Sequence, residues 1–546
     1  MKNTSLLFLL FLSITNGTIA QVEDAWVYFK DKPNATYYLD NPLEMLTQRS
    51  LDRRDRQGIQ LTEKDVPLHP DYVSNMASIN GVSVLARSKW LNAIHIRAEL
   101  SIIFGLLSEN GVQRIEFANK DYPDQVNKIN LKTRNKFENE IVNSSSENNS
   151  LLTTDTQIEM LHGDFLHDKQ LYGENMHMAI LDAGFSGVQT YAAFSLLHDN
   201  EWSNGEVIGG YNFVDRNSNF YANVGSTHGL EVLSTIAATV GTTFKGTAPK
   251  AKFYLFVTED APNESPLEES LWVEAAERAD SLGVDIINTS LGYTTFDKRA
   301  YDYNYFNMDG ATTFISRGAE LATSTGMFLI NAAGNSGNDP WRFIGAPADA
   351  PSVLSVGAVD AYQNTASFSS FGPSADNRVK PEVLAQGRNT VLISGYNGYV
   401  GTSNGTSFAS PIMAGLVACL MEAFPNATVQ DVRNAIINSS DLKDNPTNQR
   451  GYGLPNFETA YDLLGDLSSG AIKLKANFIN NSLTVTFPPG MTRCNYSIYN
   501  VLGALVMSSE IDKNNAVLDV KNCSKGMYVV VFTSDTKQST FKFLKK

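Results

Sequence analysis

Three serines crowd the stretch Gly401 to Pro411, GTSNGTSFASP, just ahead of an apolar run. A serine hydroxyl becomes a nucleophile beside a base, almost always a histidine that a third group orients. Gly401-Thr402-Ser403-Asn404-Gly405 fits the G-x-S-x-G pattern of a strand-to-helix nucleophile elbow, in which the acid and then the histidine follow the serine. All seven histidines, His69, His95, His162, His167, His177, His198 and His228, precede the cluster, so that order is impossible and the match at Ser403 reads as a glycine-rich turn. Ser410 stands before Pro411, which lacks an amide hydrogen and suits the first turn of a helix. Ile412, Met413, Leu416, Val417, Leu420 and Met421 continue at helical spacing, predicting a helix that starts near Thr406 to Phe408 and holds Ser410 in its first turn as a structural hydroxyl. Ser407 then falls at the helix N-terminus, where backbone amides and the helix dipole favour developing negative charge.

The base and the orienting acid are sought upstream. His69 and His95 belong to a separable N-terminal stretch, and His162, His167, His177 and His198 stand in polar contexts that read as exposed. His228, in GSTHGLEVLSTIAA, opens an apolar helical run, and Gly229 after it permits close approach; taken alone it is equally a helix cap. Asp182 ends the strand-like MAILDAG, and a lone aspartate there is equally a turn former. In combination, Asp182, His228 and Ser407 supply the acid, base and nucleophile of acyl transfer.

These groups need a scaffold. From about Leu151 to Leu464 apolar strands alternate with helical runs: Met176 to Gly184, Lys252 to Thr258, Val284 to Gly292, Gly326 to Asn335 and Ser352 to Val359 read as strands, and Gly229 to Ala238, Ser270 to Ser281 and Ser407 to Ala423 as helices. That pattern predicts an α/β fold, a parallel sheet flanked by helices with its site at the carboxyl ends of the strands. Before it, Gln21 to about Asn143 reads as a small α+β unit with strands within Ser83 to Ala98 and at Val112 to Ala118 and a helix at Leu100 to Leu107, followed by a polar linker, NSSSENNS, from Asn143 to Ser150. From about Ala471 short alternating strands predict a C-terminal β-sandwich. The tyrosine-rich Tyr293 to Gly310 reads as a surface loop.

Composition bounds the partners. The net charge of -15 (43 Lys+Arg, 58 Asp+Glu) argues against nucleic acid. Met1-Lys2, the apolar Leu6 to Leu12 and Thr18-Ile19-Ala20 form a secretory signal over residues 1–20, and no later segment reads as a transmembrane span. Cys419 reads as a buried free thiol, while Cys494 and Cys523 are either bridged or free.

The region around these residues resembles the subtilisin family of serine proteases. The resemblance rests on AILDAG, HGLEV, NAAGN and GTSFASP, supported by GTAPKA, NTSLG, SFSSFGP and KPEVLAQG. It implies a secreted endopeptidase acting on polypeptides through Asp182, His228 and Ser407, with the Asn335 side-chain amide on the oxyanion, Ser290, Leu291 and Gly292 as a strand edge for substrate, and Ala332, Ala333 and Gly334 as a small-residue pocket wall. It requires no cofactor; calcium is common in the family, but no ligand set in the sequence singles out a site. Ala183, Leu230 and Gln386 depart from the family's usual residues without removing a reacting group. The N-terminal stretch, 21–150 with its linker, resembles a propeptide that inhibits the 151–465 domain until removed. The tail, 471–546, resembles a type IX secretion sorting domain through SIYNVLGALV, GMYVVVF and KFLKK, implying an export machinery as partner and a secreted or surface location. The alternative is a catalytically inactive scaffold of the same fold used for binding or adhesion.

Overall fold

The computed structural model describes residues 21–122, 153–198, 205–468, 473–477, 482–487, 491–513, 516–533 and 538–545. The expected signal at 1–20 and the linker at 143–150 lie outside them.

Near the N-terminus, Val22–Phe29 (β1) is buried on both faces except at its first residue. Its odd positions Ala25, Val27 and Phe29 pack into the unit's own core with Val73, Met76 and Ile103. The even positions Trp26 and Tyr28 join a different core, shared with the central unit. Two-sided burial abolishes the polar alternation by which a strand is recognised, so sequence reading passed over β1. The helices Gln48–Gln57 (α1) and Pro70–Ser78 (α2) follow, then Ser83–Ser88 (β2), Ala93–Glu99 (β3), the short helix Leu100–Gly105 (α3) and Val112–Phe117 (β4). The antiparallel sheet runs β2-β3-β1-β4.

The central unit is built on a seven-stranded parallel sheet. Its elements are His177–Asp182 (β5), Glu206–Asn212 (β6), His228–Ala237 (α4), Lys252–Val257 (β7), Pro266–Leu282 (α5), Ile286–Thr289 (β8), Phe314–Ser324 (α6), Phe328–Ala332 (β9), Leu354–Val359 (β10) and Val383–Gln386 (β11). A hairpin of Thr390–Ile393 (β12) and Val400–Ser403 (β13) leads into Thr406–Ala423 (α7), followed by Val429–Ser439 (α8) and Phe457–Ser468 (α9). Strand order is β11-β10-β9-β8-β5-β7-β6. Alternate residues of β5 show why helices cover both faces: Met178 and Ile180 enter one core with α4 and α7, Ala179 and Leu181 the other with α5 and α6.

Three expectations change. Tyr293 to Gly310 is not a surface loop: Tyr293, Phe296, Tyr301, Tyr303 and Met308 are buried, with the Tyr293 and Tyr303 hydroxyls spent on Glu259 and Glu269. Helix α7 is long and apolar enough to cross a membrane by composition, contrary to the reading that no later segment is; with 83% of it buried inside the protein it is the central core helix. Pro411 lies at the sixth position of α7, beyond the first turn.

The C-terminal unit contains Lys473–Asn477 (β14), Ser482–Thr486 (β15), Arg493–Asn500 (β16), Leu505–Asp512 (β17), Val517–Asp519 (β18), Gly526–Thr533 (β19) and Gln538–Lys545 (β20). They form antiparallel sheets ordered β14-β15-β18 and β17-β16-β19-β20 around one apolar core. Cys494 and Cys523 both contribute to that core as free thiols, as Cys419 does in α7.

Candidate active site

Parallel packing delivers the three candidate groups to one end of the sheet. Asp182 closes β5, His228 opens α4, and Ser407 is the second residue of α7. The approach of α4 depends on Gly229, since a Cβ there would stand 2.7 Å from the Gly184 carbonyl oxygen and 3.0 Å from the Asp182 Cβ. His228 Nδ1–H consequently donates to Asp182 Oδ1 at 2.7 Å. The same oxygen accepts the Ala183 amide at 2.7 Å, while Oδ2 is buried without a partner among the described residues. The ring of Phe408, the residue after Ser407, lies against the His228 ring at 5.7 Å between centroids.

Burial alone would disfavour an imidazolium at His228. The Asp182 carboxylate, through its charge and its hydrogen bond, and the further carboxylates Glu231 and Glu259 outweigh that cost and hold the imidazole above its usual range. Glu231, one turn along α4, accepts the Gly395 amide at 3.0 Å and ties the tip of the β12–β13 hairpin to the histidine helix.

Ser407 and Ser290 are reciprocally bonded. Ser407 Oγ donates to the Ser290 carbonyl at 3.1 Å, and Ser290 Oγ donates to the Ser407 carbonyl at 2.8 Å. The second contact follows from Pro411, because a helical residue there would normally donate its amide to that carbonyl four residues back and proline has none. Ser410 donates to Asn288 Oδ1 at 2.8 Å, a structural hydroxyl as expected. Ser403 ends β13, paired with Thr390.

Asn335 is exposed, and its Oδ1 accepts both the amide and the hydroxyl of Thr406 at 2.9 Å. Because the Thr406 amide is a donor, the atom facing it must be the oxygen, which leaves Nδ2 as the outward donor. Its neighbour Gly334 has φ +104° with the Ser370 hydroxyl 2.9 Å from where a Cβ would sit, so both backbone conformation and space demand glycine. Ala332 and Ala333 are buried beside it, Ala332 ending β9. Ser290 and Leu291 are buried past the end of β8, the Leu291 carbonyl accepting Asn331 Nδ2 at 3.0 Å, whereas Gly292 is exposed.

Sequence reading missed Thr406, Phe408 and Glu231, whose parts are positional and leave no type-and-spacing signal, and the hydroxyl of Ser290, which Pro411 could have indicated. Of the other histidines, His162 and His198 are exposed as expected; His167 and His177 are half-buried, and His95 is buried between Asp24 and Ser270. The described residues hold no group of three or more His, Cys, Asp or Glu side chains placed to bind a metal ion.

Comparison with known proteins places this geometry in a context. Residues 173–454 match the family model described as the subtilase family, residues 24–136 that of the peptidase S8 propeptide domain of Bacteroidota, and residues 477–546 that of the secretion system C-terminal sorting domain. Subtilisin DY of Bacillus licheniformis is 31% identical over 306 residues, 56% of this chain and 97% of that protein. Subtilisin NAT of Bacillus subtilis subsp. natto is 30% identical over 307 residues, 56% of this chain and 70% of that protein. Serine protease AprX of Bacillus subtilis strain 168 is 27% identical over 338 residues, 57% of this chain and 72% of that protein.

Proposed function

The chain belongs to the subtilase family, and we propose that it is an endopeptidase working through Asp182, His228 and Ser407. It is a subtilisin-type serine peptidase carrying a propeptide domain and a type IX sorting domain, exported for secretion or surface attachment. The observation that carries the finer reading is the 2.7 Å bond from His228 Nδ1 to Asp182 Oδ1, since it fixes the tautomer and leaves Nε2 as the base.

In this reading the Ser407 hydroxyl turns from the Ser290 carbonyl to His228 Nε2 and attacks the scissile carbonyl carbon of a polypeptide. His228 takes the proton and returns it to the leaving amine, giving an acyl-enzyme that water hydrolyses by the same route in reverse. Asp182 stabilises the transient imidazolium. Asn335 Nδ2 and the Ser407 amide stabilise the tetrahedral oxyanion. Gly292, with Ser290 and Leu291, offers backbone to an extended substrate. The small wall of Ala332, Ala333 and Gly334 leaves room for a large side chain before the scissile bond. The proposed processing divides the chain into a signal over 1–20, a propeptide with linker over 21–150, a catalytic domain over 151–465 and a sorting domain over 471–546.

The test is labelling of the purified, propeptide-free protein by a fluorophosphonate alongside Ser407→Ala. Labelling and casein hydrolysis lost only in the variant support the reading. An unlabelled, inactive wild type instead gives the inactive binding scaffold.

A further inference from the structure

The N-terminal unit meets the central unit at two places with different chemistry. Its sheet covers α5 and α6, where Trp26 stacks on Phe314 at 4.8 Å and donates to Ser270 Oγ at 2.8 Å. Between β1 and α2, the chain carries α1 away from that sheet to the other end of the central one. Asp182 closes β5, whereas α1 docks at Asn175, just before β5, and at Gly283 and Asp285, just before β8. At about 3.3 Å per residue the two ends of β5, five residue steps apart, are about 17 Å from each other.

Three residues of α1, Arg49, Arg53 and Gln57, recur at a spacing of four and line one face of the helix. Arg49 donates to the Gly283 carbonyl at 3.0 Å and pairs with Asp285. Arg53, 1% exposed, pairs with the fully buried Asp280 at 2.5 Å and donates to the carbonyls of Val284 and Thr325. Gln57 donates to the Gly326 carbonyl at 2.7 Å and accepts the Val429 amide at 3.1 Å. Arg54 adds a second pair to Asp280 at 2.8 Å.

The receiving surface is the C-terminus of α5, where terminal carbonyls and the negative end of the helix dipole favour cations. Gly283, with φ +81°, caps that helix, and a Cβ on it would stand 2.7 Å from the Arg49 side chain. The fit therefore depends on shape as well as charge.

We propose that this surface is a second docking site, one that recognises the arginine-bearing helix α1 and retains the severed N-terminal unit on the enzyme without itself contributing to blockage of the active site. The proposal rests on the N-terminal unit being a removable propeptide. Once the linker is cut, the unit stays attached at two places, and letting go at one leaves it at high effective concentration for rebinding. Departure also uncovers Asp280, whose two closest cations, Arg53 and Arg54, both come from α1.

The test uses the whole chain carrying Ser407→Ala and a recognition sequence for a site-specific protease within 143–150. After cutting, retention of the N-terminal unit is followed by size exclusion over a dilution series. The two pieces co-elute, and Arg53→Ala with Arg54→Ala weakens retention about tenfold or more, as does Arg49→Glu at a partly exposed position that folding tolerates. Retention weakened less than that in both variants overturns the proposal. In the chain with Ser407 intact, the same variants release activity sooner and leave the kcat/KM of the released enzyme unchanged. Because retention is read on a chain without the nucleophile, its outcome is independent of whether the protein is a protease.

Discussion

Asn335 is held by its oxygen, so its nitrogen is the atom left to work. Asn335→Ala should lower kcat about 10²- to 10³-fold with little change in KM, the scale set by the corresponding donor in subtilisin. Thr406→Val keeps the amide anchor and loses the hydroxyl one, so a kcat loss nearer fivefold, about 1 kcal/mol, is expected. Steady-state kinetics separate the effects, and a change confined to KM would contradict the oxyanion role. His228 carries a second expectation. Catalysis needs the neutral imidazole, and nearby carboxylates raise its proton affinity, so activity falls as pH drops through that raised value. Glu231→Gln removes one negative charge while its side-chain oxygen can still accept the Gly395 amide. The acid limb of kcat/KM should move to lower pH; movement to higher pH, or none, would refute the contribution of Glu231.

At the scale of elements, α7 tolerates Pro411 because another element supplies the missing donor. Ser290→Ala should leave the buried Ser407 carbonyl unpaired and cost about 1–3 kcal/mol, read as a lower denaturation midpoint. Adding Pro411→Ala restores a backbone donor to the same carbonyl, so the double variant should lose about 1 kcal/mol less than the sum of the singles. Strict additivity would show that the carbonyl had found another partner. The same elements show what was legible in the sequence. β5, β7, β8, β9 and β10 were readable as apolar runs, and α4 and α7 through their periodicity, because burial there follows from the local pattern. Asp182, His228 and Ser407 stand out in the sequence because chemistry restricts their types, and of these the structure joins Asp182 and His228 by a hydrogen bond. The strand β1 was not, since Trp26 and Tyr28 face a second unit, nor was the buried tyrosine insert, whose hydroxyls find acceptors on distant segments. Partners supplied from elsewhere in the chain leave no local trace.

For the whole molecule, the covered face of α5 makes docking of the N-terminal unit depend on pH. Glu277 lies under that unit and accepts from the Ser88 hydroxyl and the Lys89 and Trp90 amides, while Glu269 accepts the Tyr303 hydroxyl with Lys120 nearby. Burial dominates at both and lifts each carboxyl to about 7. Departure of the unit returns this face to water and removes that penalty, so the docked state binds more protons than the separated one. Through these two carboxyls docking is strongest at low pH, weakens as pH rises from the ordinary carboxylate range to about 7 and levels off above it, while His177, held at about 4 by burial and by Arg49 of α1, offsets part of that slope below its ordinary range. Asp24, which meets His95 and Arg97 within the N-terminal unit, is buried, yet those partners hold its carboxyl at about 2, so it stays charged throughout and adds no slope. Asp280 behaves likewise: burial opposes its charge, but Lys89, Arg53 and Arg54 prevail and keep its carboxyl low. The linker-cut Ser407→Ala chain should thus lose its N-terminal unit more readily between pH 5 and 7, by up to about tenfold per pH unit for each glutamate. Glu269→Gln and Glu277→Gln should each flatten the slope, and retention that strengthens with pH would refute the mechanism. Above pH 7, with the α5 face weakened, the arginines of α1 become the principal hold, so Arg53→Ala with Arg54→Ala should shorten retention more at pH 8 than at pH 5.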